Sequence, residues 1–268
     1  SSSVKYELCN IENELSLAEG AVEAIGSDKT FLVHKQGDNP ANTIESPIVA
    51  KDHTEAINEI IKILISPVNR LINKKDEIYA IGHRFVHGGE YFTEPVVLTE
   101  EVEKKLIDCI KFAPLHNPHH IKGIDAIKEI LPGVPQVIVF DTAFHRTMPD
   151  YAYLYPLPYR FYQQYKIRKY GFHGISHKYL TERLSQIVKV PIDKLKAITC
   201  HLGNGVSITA IKNGQSVDTS MGFTPLEGLM MGTRCGDIDA AVPLHLMSFE
   251  EVKAMDMQSI LNKQSGLF

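Results

Sequence analysis

Residues 197–219, AITCHLGNGVSITAIKNGQSVDT, constrain the fold more tightly than any other stretch. Residues 197–201 read as a buried strand running into Gly203-Asn204-Gly205, and residues 206–211 alternate as a second strand. Asn213-Gly214 is a strong hairpin signal, because a type I′ turn needs positive φ at both central residues, and residues 215–219 supply the third strand. With a helix expected over 176–188, the region is an α/β unit whose strand ends open into glycine-bearing loops.

The rest of the chain follows the same plan. Strands are expected at 4–8, 21–25 and 30–34. Ile57, Ile60, Ile61 and Leu64 recur at helical spacing behind a polar start at Asp52 or Thr54, and Pro67 closes the pattern. The apolar run 78–81 ends at Gly82 and delivers HRFVHGGEYF into a loop at its C-terminal end, where α/β sheets place their chemistry. Thr99 fits the cap of a helix carrying Val102, Leu106 and Ile110, with Glu100 and Glu101 at its positive end. Asn117-Pro118 reads as N-cap and first residue of another, which carries Ile121, Ile124, Ile127 and Leu131 up to Pro132-Gly133. Residues 137–140 form an apolar strand ending at Asp141. Ser1-Ser2-Ser3 followed by the strand at 4–8 suggests the second arm of a duplicated loop-and-strand device, without amounting to a detected repeat.

A chain of 268 residues, 44% of them hydrophobic, is long enough for two domains. Its net charge of -4, from 28 basic and 32 acidic residues, offers no global attraction to nucleic acid or to a membrane surface, so any anion site is local. Cys9, Cys109, Cys200 and Cys235 are scattered with no CxxC pair, which argues against a zinc ribbon or a disulfide framework and fits a reducing cytoplasm. The apolar runs are too short to cross a bilayer, and residues 1–20 lack a signal-peptide core.

Candidate anion-binding residues lie at the strand ends. Gly203 and Gly205 let backbone N–H groups approach an anion, with Asn204 and His201 as added donors; taken alone, the pattern favours a tight turn over a cradle. Arg84 and Arg234 each sit beside glycine, where a guanidinium fork meets phosphate or carboxylate oxygens, and together with the loop they reverse that balance. His173, also beside glycine, is a candidate donor, whereas His116, His119 and His120 form a weak metal pattern with no acidic partner. Asp141 either aims a carboxylate at the open end of its strand or caps the turn that follows. Asp237 and Asp239 are less distinctive and fit helix caps.

Set in order, SSSVKYEL, GHRFVHGGEYF, APLHNP, VIVFDTAFHRTMP, KYGFHGISHKYL, ITCHLGNGVSITAIKNGQSVDTSMGFTPLEGLMMGTRCGDID and NKQSGL closely resemble the acetate kinase family of the actin-like ATPase superfamily. The resemblance implies a two-domain actin-like (ribonuclease H-like) α/β fold, with domains 1–142 and 143–268 and the site in a cleft between them. It implies reversible transfer of the γ-phosphoryl of ATP to acetate, giving acetyl phosphate and ADP with Mg²⁺, in a cytoplasmic homodimer. By the same resemblance Arg84 and Arg234 hold acetate and the transferring phosphoryl, His173 bonds to that phosphoryl, and Asp141 stands near the metal and acetate. Ser1, Ser3, His201, Leu202, Gly203, Asn204 and Gly205 fall on phosphate loops; Val86, Leu115 and Pro225 fall on the pocket for the acetate methyl, with His116 lining the cleft. Relative to the family pattern the chain lacks the first strand, the adenosine site, the downstream Glu associated with Mg²⁺ and the returning terminal helix, so the second domain is expected to be incomplete. Ile175 stands where Thr is usual and Ala240 where Pro is usual. Propionate kinase, and a catalytically inactive phosphate-binding fragment, are the alternatives.

Overall fold

The computed structural model describes residues 3–267 apart from 38, 70 and 115, and for Pro40 the backbone alone. Ser1 and Leu115, both expected at the site, therefore lie outside the described residues. The chain divides into two compact units, Ser1–His83 with Val97–Ile138, and Arg84–Val96 with Val139–Phe268. The last changeover follows Ile138, and the sequence offered no sign that 84–96 belongs with the second unit.

The first unit carries an antiparallel sheet in the order β1 (Val4–Asn10), β2 (Leu15–Glu23), β3 (Phe31–Gln36), β4 (Thr43–Pro47). The strand expected at 21–25 begins six residues earlier, because pairing with β1 from Val4↔Val22 to Asn10↔Leu15 sets its extent. Gly20 lies opposite Tyr6, whose ring occupies the space a Cβ would need. Helix α1 (His53–Leu64) is capped by the Asp52 carboxylate, which accepts from the Glu55 N–H at 2.9 Å. It buries Ala56, Ile57, Ile60, Ile61 and Leu64 in one aliphatic cluster with Ala18, Val22 and Leu32. At about 25 cal/mol per Å² of apolar surface, each buried Ile or Leu contributes about 1.5–3 kcal/mol.

Strand β5 (Ile81–Phe85) lies beyond the apolar run at 78–81, so Arg84 stands in a strand and not in the loop after it. After β6 (Val96–Val97), Thr99 caps α2 (Glu100–Asp108), its hydroxyl accepting from the Val102 N–H. In α3 (Asn117–Ile130) the N-cap is His116, one residue earlier than expected, and Asn117 is buried in the first turn. Its Nδ2 donates to the Cys109 carbonyl at 2.8 Å, a contact with the preceding segment that local sequence does not reveal. Strand β7 (Gln136–Phe140) joins β5 and β6 in the order β5-β7-β6.

In the second unit, short helices α4 (Asp150–Tyr153) and α5 (Arg160–Tyr165) precede α6 (Gly174–Val188). The sheet then follows in the order β10 (Gln215–Thr219), β9 (Val206–Lys212), β8 (Lys196–Leu202), antiparallel throughout. Pairing of β8 with β9 continues to Leu202↔Val206, leaving residues 203–205 as a three-residue connection. Asn213 and Gly214 both have positive φ, 56° and 74°, as the hairpin signal requires. The chain continues through α7 (Ala241–Phe249) and α8 (Ala254–Lys263). The alternation of β9 turns Ser207, Thr209 and Ile211 inward, so this unit buries hydroxyls where the first unit buries aliphatics.

Candidate anion site of the second unit

Arg84 and Asp141 are brought together by the backbone of the strands that carry them. The Asp141 N–H donates to the Phe85 carbonyl at 3.0 Å, which sets the first residue after β7 beside the end of β5. Arg84 then donates from Nε to Oδ1 at 3.0 Å and from Nη2 to Oδ2 at 2.6 Å. The Asp141 side chain is only 3% exposed and that of Arg84 61%, so a buried carboxylate grips one edge of the fork and leaves the other edge outward. This pairing pushes the Arg84 pKa further up. A carboxylate of one segment thus orients the cation of another, 57 residues away in sequence.

The next residues come from the start of α6. The Gly174 N–H donates to the Asp141 carbonyl at 2.8 Å, and a Cβ at 174 would collide with that oxygen. His173 precedes it with φ 58°, a left-handed conformation that is uncommon outside glycine. Its ring stacks on His201 at 4.0 Å between centroids, and its Nδ1 lies 2.8 Å from the Ser207 hydroxyl. Burial first, then His201, Arg84 and Arg234, push the His173 pKa down to about 4, so the imidazole is neutral at pH 7. His201 is held in turn by the Ser176 hydroxyl at 3.0 Å from its Nδ1.

Gly205 is where these groups converge. A Cβ there would stand 3.3 Å from His173 Cε1 and 3.4 Å from both His173 Nε2 and Arg234 Nη1. Neither Gly203 nor Gly205 has positive φ, so the loop does not need them for a left-handed turn. What Gly205 provides is room between an imidazole and a guanidinium. Arg234 Nη1 donates to the Pro225 carbonyl at 3.1 Å, and burial lowers the Arg234 pKa. Among the described residues Arg234 has no carboxylate partner. The Gly232 N–H donates to the Asn204 carbonyl at 3.3 Å, tying the Arg234 loop to the glycine loop.

The remaining expected residues fall as follows. Val86 packs on Phe172, Met221 and Met231, a small apolar surface shared with Val206, and Pro225 is half-buried. Leu202 and Asn204 are exposed. Ser3 and His116 belong to the first unit, Ser3 before β1 and His116 as the cap of α3. Asp239 accepts from the Ala241 N–H at 2.8 Å at the start of α7, whose N-cap is Ala240. His119 stacks on His53, and no group of three potential metal ligands occurs among the described residues.

Ser207, His177 and Met231 were not singled out by the sequence. The signals were there in part: His173 and His177 have i,i+4 spacing, and the strict alternation of β9 turns a serine inward. Chemically, two guanidinium groups and a neutral imidazole suit an anion that bears more than one oxygen.

The model of the Acetokinase family matches residues 1–268. The chain is 53% identical over 268 residues to an acetate kinase of Caldanaerobacter subterraneus subsp. tengcongensis, covering 100% of this chain and 66% of that relative. Among solved structures, Porphyromonas gingivalis acetate kinase matches with a TM-score of 0.93 at 45% identity, over 99% of this chain and 66% of that one. A propionate kinase from Francisella tularensis matches with a TM-score of 0.92 at 42% identity, over 100% of this chain and 67% of that one. The chain thus spans about 66% of the length of the curated relative.

Proposed function

Since the chain belongs to the acetokinase family, we propose that the protein is an acetate kinase, moving the γ-phosphoryl of ATP reversibly onto a carboxylate oxygen of acetate. The observation that carries this reading is Arg234, a half-buried guanidinium without a carboxylate partner among the described residues, converging with His173 Nε2 on the space above Gly205. Acetate is already an anion near neutral pH, so the reaction needs no strong base. The obstacle is repulsion between acetate and a polyanionic phosphate. At an effective dielectric near 20, unit charges about 4 Å apart interact by roughly 4 kcal/mol, so Arg84 and Arg234 together offset much of it. His173 donates to the transferring phosphoryl, and Asp141 keeps the Arg84 fork aimed. The loop of His201, Leu202, Gly203, Asn204 and Gly205 takes phosphate oxygens, with Ser1 and Ser3 as a second loop. Val86 and Pro225 border the acetate methyl.

Mg²⁺ belongs to the proposal as a partner of the nucleotide. Asp141 is the carboxylate at hand that would hold it beside the nucleotide phosphates. Both Asp141 oxygens accept from Arg84, and as a single carboxylate Asp141 would need ligands beyond this group to hold the ion. Its chemistry would be neutralisation of phosphate charge. A cytoplasmic homodimer completes the reading, supported on the first point by four free cysteines.

The direct test is acetyl phosphate formation from ATP, Mg²⁺ and acetate by the 268-residue chain, trapped as the hydroxamate, with propionate in parallel. Turnover, where the chain shows it, is expected to favour acetate in kcat/KM. A propionate preference favours the second reading, which the likeness to a propionate kinase supports. A silent chain that still binds acetyl phosphate is the inactive phosphate-binding fragment; silence without binding overturns the site.

A further inference from the structure

Behind His173 runs a buried chain of hydrogen bonds that no contact with a ligand explains. Ser207 Oγ lies 2.8 Å from His173 Nδ1 and 2.8 Å from His177 Nε2, and His177 Nδ1 lies 2.7 Å from Thr199 Oγ1. Ser207 and His177 are fully buried and Thr199 nearly so. Ser207 has no third partner among the described residues. Its one proton therefore goes to one imidazole or the other.

If Ser207 donates to His173 Nδ1, then His173 carries its proton on Nε2 and His177 must donate to Ser207 from its own Nε2. If Ser207 donates to His177 Nε2, then His173 and His177 both carry the proton on Nδ1. An arrangement with both imidazoles donating to Ser207 strands the hydroxyl proton in a buried position, at a cost of about 1–3 kcal/mol. Both rings are neutral near pH 7, since burial and neighbouring histidines hold His173 at about 4 and His177 at about 3.

We propose that Ser207, His177 and Thr199 are positioning residues that give His173 and His177 one shared tautomer, and that a phosphoryl oxygen above Gly205 selects the form with the proton on Nε2 of both. The last clause rests on the anion site proposed above; the shared tautomer does not. By contrast, His145 is fixed without choice, because its Nε2 faces the Phe172 carbonyl at 2.9 Å and must donate, leaving Nδ1 to accept from Ser216. Among the described residues the Ser207 chain ends on the Thr199 hydroxyl, which can donate or accept, and so it stays switchable.

The test reads tautomers and not activity. Protonated and unprotonated imidazole nitrogens give well-separated ¹⁵N resonances, so long-range ¹H–¹⁵N correlation of the 268-residue chain at pH 7 assigns both rings, with and without inorganic phosphate. Matching tautomers in the free protein are expected, with both on Nε2 when phosphate is bound. Opposite tautomers, or a His177 that does not follow His173 on phosphate addition, overturn the proposal. Ser207→Ala should uncouple the rings and weaken phosphate by about two- to tenfold, the factor set by the fraction of His173 left in the donor form. Should that variant not fold, Thr199→Val, of the same shape, carries the test. It removes the partner of His177 Nδ1 and should leave both rings protonated on Nε2 without phosphate, and a His173 protonated on Nδ1 in this variant counts against the relay. If phosphate does not bind at all, the anion reading falls, and the match of tautomers in the free protein still decides the relay.

Discussion

The two units of this chain are built on different interiors. The first closes its sheet with an aliphatic cluster in which Ile57, Ile60, Ile61 and Leu64 of α1 meet Ala18, Val22 and Leu32 of the sheet and Ala126, Ile127 and Ile130 of α3. The second buries Asp141, His145, Arg168, His177, Thr199, Ser207, Thr209 and Ser216, and satisfies most of them with one another. An aliphatic interior is stable but chemically mute. A polar interior tolerates fewer changes, because each lost partner strands another buried group, yet it can hold an imidazole neutral and a guanidinium aimed. The proposed anion site draws on the polar interior, whose buried partners orient Arg84 and His173.

Four experiments break or sharpen this contrast. The largest effect is expected for Arg234→Ala in a full-length version, which removes a cation that makes no ion pair among the described residues: kcat should fall about 10³-fold with far-UV circular dichroism unchanged. Normal turnover in that variant sinks the charge-compensation mechanism. Next comes Ile60→Ala in the aliphatic unit, expected to cost about 2–4 kcal/mol in urea unfolding while the folded protein binds acetyl phosphate as before. Weakened binding in the folded variant would mean that the two interiors are not separable in function.

The third is acidification. His145 is held down to about 4 and His177 and His87 to about 3, chiefly by burial, whereas in the unfolded chain a histidine titrates near 6.5. The unfolded state therefore binds more protons in this range, so their contribution is complete above pH 6.5 and is lost as pH falls toward 4 and then 3. For the fully buried His145 alone, about 1–2 kcal/mol should be gone at pH 5. Hydrogen exchange at pH 7 and pH 5 should show the second unit opening first, although His34, His53 and His83 of the first unit are pushed the same way. The smallest effect is expected for Gly205→Ala. Its φ suits any residue, so stability should change by less than about 1 kcal/mol, while the methyl between His173 and Arg234 should weaken acetyl phosphate about five- to tenfold in titration calorimetry. A large loss of stability would show that the glycine serves the backbone after all.

What could be read from the chain alone was whatever depends on near neighbours. The caps at Asp52 and Thr99, the aliphatic stripe of α1, the Asn213-Gly214 turn and the inward alternation of β9 all act over a few residues, and the structure has each of them. Arg84, Arg234, His173 and Gly205 were legible as candidates because a charged or imidazole side chain close to glycine, or a glycine pair after a strand, is a local pattern. Where the expectation slipped, a distant partner had decided: β1 set the start of β2, and Cys109 claimed the side chain of Asn117. Only the tertiary structure determined that the inner edge of Arg84 belongs to Asp141, and that His173 rests on Ser207, 34 residues on. It also assigned Gly205 to making room and not to making a turn. Partners of that kind depend on the register of strands and on which segments are buried together, and those follow from the whole chain closing on itself.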